Sequence, residues 1–368
     1  MRAAWLEIDL EAYRANLRAV RAAVDAPLLA IVKGNAYGHG LVRIAGAALD
    51  AGCWGLGVGV AVEAIALRRA GVKGEIIVLG LSLPDEAGDI VEHDLHTVIS
   101  STAMADALAG AAWREGKPAR VHVKVDTGMT RAGLDPEAAI DLCRRIWDLP
   151  GVELAGVMTH FAAADDPARA REQWELFQPI CKFFSAWPHG RPRLHAANSA
   201  CCLWFRQAAL DLARPGIVTF GVLPADGEAT LDVRPVLSLK ARLVQVREVP
   251  AGRAVSYGGD FVTRRASRLA IAPVGYGDGL PWRLSNAGAA LVRGELAPIR
   301  GRVCMDQVVL DVTQVPQAGV GDEAVFIGRQ GDRERRVADL AREAGTIPYE
   351  VLTGLSVRLP RRYSETEA

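Results

Sequence analysis

Chemistry concentrates first in Leu28 to Gly40, the stretch LLAIVKGNAYGHG. Its apolar run reads as a strand buried on both faces, ending on Lys33. An amine at a strand end is partly desolvated, which lowers its pKa and makes it a usable nucleophile or base. Tyr37 puts a phenol near the same rim, and Gly34, Gly38 and Gly40 let backbone approach a ligand. A plain surface lysine in a glycine turn is the alternative. In RVHVKVDTGMTRAG, His122, Lys124 and Asp126 alternate with valines and so share one strand face. A Lys124–Asp126 ion pair inside a barrel explains them without chemistry. MTHF places His160 at a strand end. LHAANSA puts His195 inside a strand, with Asn198 and Ser199 opening the next helix, where free N–H groups suit a phosphate. ARPGI sets Arg214 before Gly216 and Ile217. Later come Tyr257 in VSYGG, Tyr276 in VGYGDG, Met305 in GRVCMDQ and Tyr349 in TIPYEV. Cys304 lacks a histidine partner and is not read as a nucleophile.

The elements that must position these residues alternate. Strand candidates are 28–33, 54–60, 75–80, 96–100, 120–126, 152–160, 192–198 and 213–221. Helical stretches at 41–51, 61–70, 85–93, 102–115, 135–148, 167–186 and 200–208 separate them. Eight strand–helix alternations in this length indicate a (β/α)8 barrel, whose sites lie at the carboxyl ends of its strands. An open doubly wound sheet is the rival, but no G-x-G-x-x-G follows the first strand. Residues 4–8 read as a strand, Asp9 as a helix cap, and Asp135-Pro136 and Asp166-Pro167 as helix starts. From about Thr230 helical periodicity gives way to alternating runs punctuated by Gly, Pro and Asp. The expected division is a barrel over 1–228 and a mostly β domain over 229–368. The expected linker is P-A-D-G-E, and one helix is expected at 336–344.

The 43 basic and 43 acidic residues cancel, which leaves no basic footprint for nucleic acid. Six cysteines without C-x-x-C spacing indicate neither a zinc site nor a disulfide framework, and no metal is expected. Acids at positions 7, 9 and 11 break any signal-peptide core, and no long apolar run suggests a membrane span. A cytoplasmic enzyme is the expectation.

K-G-N-A-Y-G-H-G resembles the lysine segment of the alanine racemases, which bind pyridoxal 5′-phosphate (PLP). At least seven separated motifs follow in that family's order across nearly the whole chain. The resemblance implies a homodimer of barrel-plus-β chains that interconverts L- and D-alanine. It implies that Lys33 carries PLP, with Tyr37, Ser199, Gly216 and Ile217 toward the phosphate, and Tyr349 reaching the phosphate or gating the entrance. Asn198 would stand beside them, His160 beside the ring, and Arg214, oriented by His195, would face the pyridine nitrogen. It implies an N6-carboxylated Lys124 that grips Arg131, which meets the PLP phenolic oxygen and, together with Met305, the substrate carboxylate. Tyr257 would be the second acid/base, delivered from the partner subunit, and Tyr276 would line the entrance. Residues 1–8 would pair with the C-terminal domain. Gly34, Pro348 and Phe220 depart from the family's usual residues, and none is a proposed catalytic group.

Three rivals stand beside this reading. A barrel decarboxylase of basic amino acids needs an acid at position 214. A broad-specificity racemase of the same fold shares the motifs. A PLP-carrier protein without catalysis is a lone barrel. The resemblance leaves open whether the product serves cell-wall synthesis or alanine is being broken down.

Overall fold

The computed structural model of the chain describes residues 2–187, 190–224 and 231–365. The expected linker at 225–228 lies outside them. The first strand, β1 (Ala4–Asp9), is followed by the helix Leu10–Val24, and Asp9 caps it by accepting the Ala12 N–H at 2.8 Å. Seven parallel strands then run in sequence order: β2 (Leu29–Ile31), β3 (Gly55–Val58), β4 (Glu75–Leu81), β5 (His96–Ile99), β6 (Ala119–Lys124), β7 (Val152–Met158) and β8 (Arg193–His195). Helices connect them, as parallel pairing requires. Every residue of β2, β3 and β5 is buried, because side chains fill the ring on one face and helices cover the other.

The ring closes through an eighth, irregular segment rather than the strand expected over 213–221. Ala213 bridges Leu28 in parallel, Leu29 N–H donates to the Ala213 carbonyl at 2.8 Å, and Ile31 N–H donates to Pro215. On the other side Arg214 N–H donates to the Ala197 carbonyl. Pro215 has no N–H to give, and the chain turns at Gly216 into a 3-10 helix over Ile217–Phe220. Helix starts also differ in detail. Asp166 accepts from Ala168 and Arg169, whereas Asp135 precedes its helix without a side-chain cap.

The remaining chain is mostly strand. Leu237–Arg242 pairs antiparallel with β1, and Arg361–Ser364 pairs parallel with it, so the first strand belongs to the sheet of the C-terminal half. Two helices interrupt these strands, Val337–Ala344 and Pro348–Thr353. The second was not expected; its proline sits at the first helical position, and it carries Tyr349.

Candidate active site

Lys33 is not the last residue of a strand. β2 ends at Ile31, and Lys33 opens a tight turn, Lys33–Tyr37. Gly34, Asn35, Ala36 and Tyr37 all have φ between 51 and 64°, a left-handed turn that costs a non-glycine residue about 1–2 kcal/mol. Local polar contacts hold it. Glu63 accepts the Gly34 N–H at 2.6 Å through one carboxylate oxygen and the Gly59 N–H at 2.9 Å through the other. Asn35 accepts from Leu41 N–H at 2.9 Å. The turn aims the lysine into a cavity at the carboxyl ends of the barrel strands.

That cavity measures about 680 Å³. Its walls include Lys33, Tyr37, Lys124, Arg131, His160, Asn198, Ser199, Arg214, Gly216, Ile217 and Tyr349. Eleven of the residues expected from sequence therefore meet in one place. Four basic side chains line it and, among the described residues, no carboxylate does, so the cavity suits an anion. Lys33 is open to the cavity, yet the walls remove enough water to hold its pKa below the ordinary lysine value. The Arg131 charge lowers it further and Glu63 opposes the shift.

Arg214 is buried and held from four directions. It donates to His195 Nδ1 at 3.1 Å, to the Thr159 carbonyl at 2.7 Å, to the Ala196 carbonyl at 3.0 Å and to His160 Nδ1 at 3.4 Å. Burial pushes its pKa down to about 10, so it is a cation at neutral pH. Burial, with Arg214 and three further cations, drives the His160 pKa well below the usual value, so His160 is a neutral ring.

Lys124 is buried, and desolvation beside Arg214 and Arg131 lowers its pKa to about 7. Asp126 does not pair with it. The Asp126 carboxylate instead accepts the N–H groups of Gly128, Met129 and Thr130, which shapes the loop leading to Arg131.

Ser199 Oγ accepts the Gly216 N–H at 2.8 Å and the Val218 N–H at 3.5 Å. Asn198 caps the helix Ser199–Trp204 by accepting the Cys201 N–H and donates to the Phe161 carbonyl. A side chain at position 216 would come within 2.5 Å of the Tyr37 hydroxyl, so glycine keeps this corner open. Phe220 packs among aromatic rings, 5.2 Å from Tyr13, 5.1 Å from Tyr37 and 4.4 Å from His39.

Tyr257, Tyr276 and Met305 do not line the cavity. They lie in the C-terminal half with 71, 45 and 51% of their surface exposed. Sequence reasoning missed Glu63, an isolated acid at the start of the helix after β3. It also missed the Thr159 and Ala196 carbonyls, which carry no side-chain signal.

A family model described as "Alanine racemase, N-terminal domain" matches residues 8–224, and "Alanine racemase, C-terminal domain" matches 236–363. The chain belongs to the alanine racemase family. Members are isomerases that act on amino acids. The chain is 40% identical over 367 residues to an alanine racemase of Halothermothrix orenii, covering 98% of this chain and 97% of that one. Against an alanine racemase of Symbiobacterium thermophilum it is 42% identical over 368 residues, 99 and 97% of the two chains. The solved alanine racemase from a D-cycloserine-producing Streptomyces lavendulae superposes with a TM-score of 0.93 at 36% identity, covering 100 and 98%. A histidine racemase from Leuconostoc mesenteroides superposes at 0.91 with 29% identity, covering 99 and 98%, so this family fold is found with other side-chain specificities.

Proposed function

We propose that this chain interconverts L-alanine and D-alanine with PLP held on Lys33. One observation carries the reading. Lys33, an amine of lowered pKa, shares with a rigidly held arginine a cavity whose described charged side chains are all basic. The residues present fit an anionic, phosphate-bearing ring. Among the described residues four cations line the cavity without a carboxylate, and the Gly216 corner would be filled by any side chain. Lys33 would hold the group covalently. Tyr37, Ser199, Tyr349 and the N–H groups of Gly216 and Ile217 would hold its phosphate, with Asn198 shaping the same corner. His160 would flank the ring, and Arg214 would face the pyridine nitrogen.

When bound, PLP draws electrons from the substrate Cα and makes its proton removable. Lys33 takes or returns that proton on one face. Arg214 cannot give up its proton at neutral pH, so it donates a hydrogen bond without protonating what it faces. That limits the electron demand on the substrate and favours return of the proton to Cα over transamination. Arg131 binds the substrate carboxylate. Lys124 as an N6-carboxylate would grip Arg131 in a bidentate fork and replace an expensive buried cation by an anion. A lysine pKa of about 7 supplies the neutral amine that carboxylation needs.

The second acid/base is Tyr257 of the partner subunit, with Met305 of the partner subunit at the substrate carboxylate and Tyr276 lining the entrance. This assignment is supported by where one chain puts these residues. All three are exposed, and none reaches the cavity that holds Lys33. On this reading a homodimer would complete the site. We place the division between barrel and β domain at 228–229, between the ends of the two family matches. Among the described residues no helix is long and apolar enough to cross a membrane. The six free cysteines suit the reducing cytoplasm.

The test is circular dichroism of L-alanine incubated with the protein and PLP. Decay of the signal to zero, abolished by Lys33→Ala, supports racemisation. A stable signal overturns it. The same assay across several L-amino acids, histidine included, separates alanine from broad specificity.

A further inference from the structure

The barrel interior contains a line of polar groups that, beyond Arg214, the reaction described above does not use. It starts at Arg214, at the carboxyl ends of the strands, and runs toward their amino ends. Arg214 donates to His195 Nδ1 at 3.1 Å. His195 Nε2 lies 2.9 Å from His122 Nδ1. His122 Nε2 lies 3.0 Å from His96 Nδ1. His96 Nε2 lies 2.7 Å from a carboxylate oxygen of Glu75, which Arg120 also contacts at 3.0 Å. His122 and His195 are fully buried and His96 nearly so, and Glu75 at the far end is in contact with water. Gly156 makes room for the line, because any side chain there would collide with His122 Nδ1.

The hydrogens in this line can be counted. A guanidinium only donates, so His195 Nδ1 carries no hydrogen. A carboxylate only accepts, so His96 Nε2 carries one. The four gaps then hold one hydrogen each only when all three rings are neutral and protonated on Nε2. Both ends impose the same direction. A ring turned to the other tautomer sets two N–H groups against each other in one gap and leaves two bare acceptors in another. An unmade hydrogen bond in the barrel interior is costly.

We propose that Glu75, His96 and His122 are positioning residues for Arg214: from the far end of the barrel, Glu75 fixes the direction of the histidine line and presents a bare His195 Nδ1 to the guanidinium. Burial and the neighbouring cations hold the His122 and His195 pKa well below the usual histidine value, which agrees with neutral rings. The link to catalysis rests on Arg214 facing the cofactor ring; the tautomer assignment does not.

Long-range 1H–15N correlation spectra of holoenzyme labelled with [15N]histidine test the direction. The chain has seven histidines, so single-site variants suffice for assignment. His96, His122 and His195 are expected as neutral Nε2–H rings. Any of them found as Nδ1–H or as imidazolium in the unsubstituted protein overturns the proposal. Glu75→Met removes the acceptor at a site partly open to water. It is expected to give mixed tautomers and about a tenfold fall in kcat with KM little changed, the size of one lost charge-assisted hydrogen bond. Glu75→Gln keeps an acceptor oxygen and is expected to restore both. Unchanged tautomers and unchanged kcat in Glu75→Met overturn the role of Glu75. Should that variant not fold, Gly156→Ala displaces His122 and must give the same mixed tautomers; unaltered rings there overturn the proposal equally. If alanine is not racemised while the three tautomers are as expected, the functional reading fails and the line of histidines stands.

Discussion

The hydroxyl oxygen of Ser199 accepts the backbone N–H of Gly216 at 2.8 Å, across the corner where the barrel ring closes. Ser199 opens the helix after β8, and Gly216 ends the irregular eighth segment, so one contact ties together the two loops that form this corner. Ser199→Ala is expected to weaken PLP retention about tenfold, the scale of one hydrogen bond to a charged group. Gly216→Ala is expected to weaken it more, because the new methyl meets the Tyr37 hydroxyl. Equilibrium dialysis against PLP measures both. Retention equal to the unsubstituted protein would remove the phosphate from this corner.

Lys124 gives a prediction with a definite pH direction. Its pKa is about 7 in the fold against 10.5 for an ordinary lysine, so the unfolded chain binds the extra proton between those values. Unmodified Lys124 therefore destabilises the fold fully below pH 7, and the penalty fades as pH rises toward 10.5. In CO2-free buffer Lys124→Met is expected to melt above the unsubstituted protein at pH 6, with the gap closing as pH rises. Bicarbonate is expected to close the gap at neutral pH by carboxylating the amine, with a mass increase of one CO2. Melting curves that ignore bicarbonate would exclude the modification.

The sequence made some of this legible and hid the rest for physical reasons. Period-two alternation in RVHVKVD put His122 and Lys124 on the interior face, where both are buried. Sequence spacing carried Lys33 to the right cavity but to the wrong element. The left-handed turn at Gly34–Tyr37 depends on Glu63, from another part of the chain, and periodicity is blind to such a partner. The eighth strand was overextended because VTF has β propensity, and only the ring closure at Ala213–Pro215 decides where pairing stops. The helix carrying Tyr349 is six residues long, too short to show a period. Tyr257, Tyr276 and Met305 were found by motif alone; a single chain gives them no common neighbour in the cavity.

Arg214→Glu tests the electronic role of the arginine. A carboxylate at this position is expected to raise pyruvate formation from alanine relative to racemisation, since an acid lets the ring nitrogen hold a proton. The same substitution leaves the Thr159 and Ala196 carbonyls without their donor, at about 1–3 kcal/mol each, so the melting temperature is expected to drop as well. Pyruvate counted per racemisation event, rather than total activity, separates the two effects. An unchanged ratio would leave Arg214 with a structural role only.

Two bases on opposite faces of one carbon make a prediction that a single base cannot imitate. If Lys33 serves one enantiomer and Tyr257 of the partner subunit the other, replacing the phenol must act unequally. Tyr257→Phe is expected to slow removal of the proton from L-alanine by about 10²–10⁴-fold, the usual contribution of a positioned general base. Removal from D-alanine, which falls to Lys33, is expected to suffer far less. The measurement is exchange of the Cα proton into deuterated water during a single turnover, started separately from each enantiomer, because at equilibrium the two directions are bound to a common ratio of kcat/KM. Mixing Tyr257→Phe with Lys33→Ala supplies the decisive arm. In the mixed dimer one site carries both lesions and the other carries neither, so a quarter to a half of the unsubstituted activity returns only if the two groups come from different chains. Equal loss from both enantiomers, or no recovery on mixing, would overturn the two-chain arrangement while leaving Lys33 and its cavity as described.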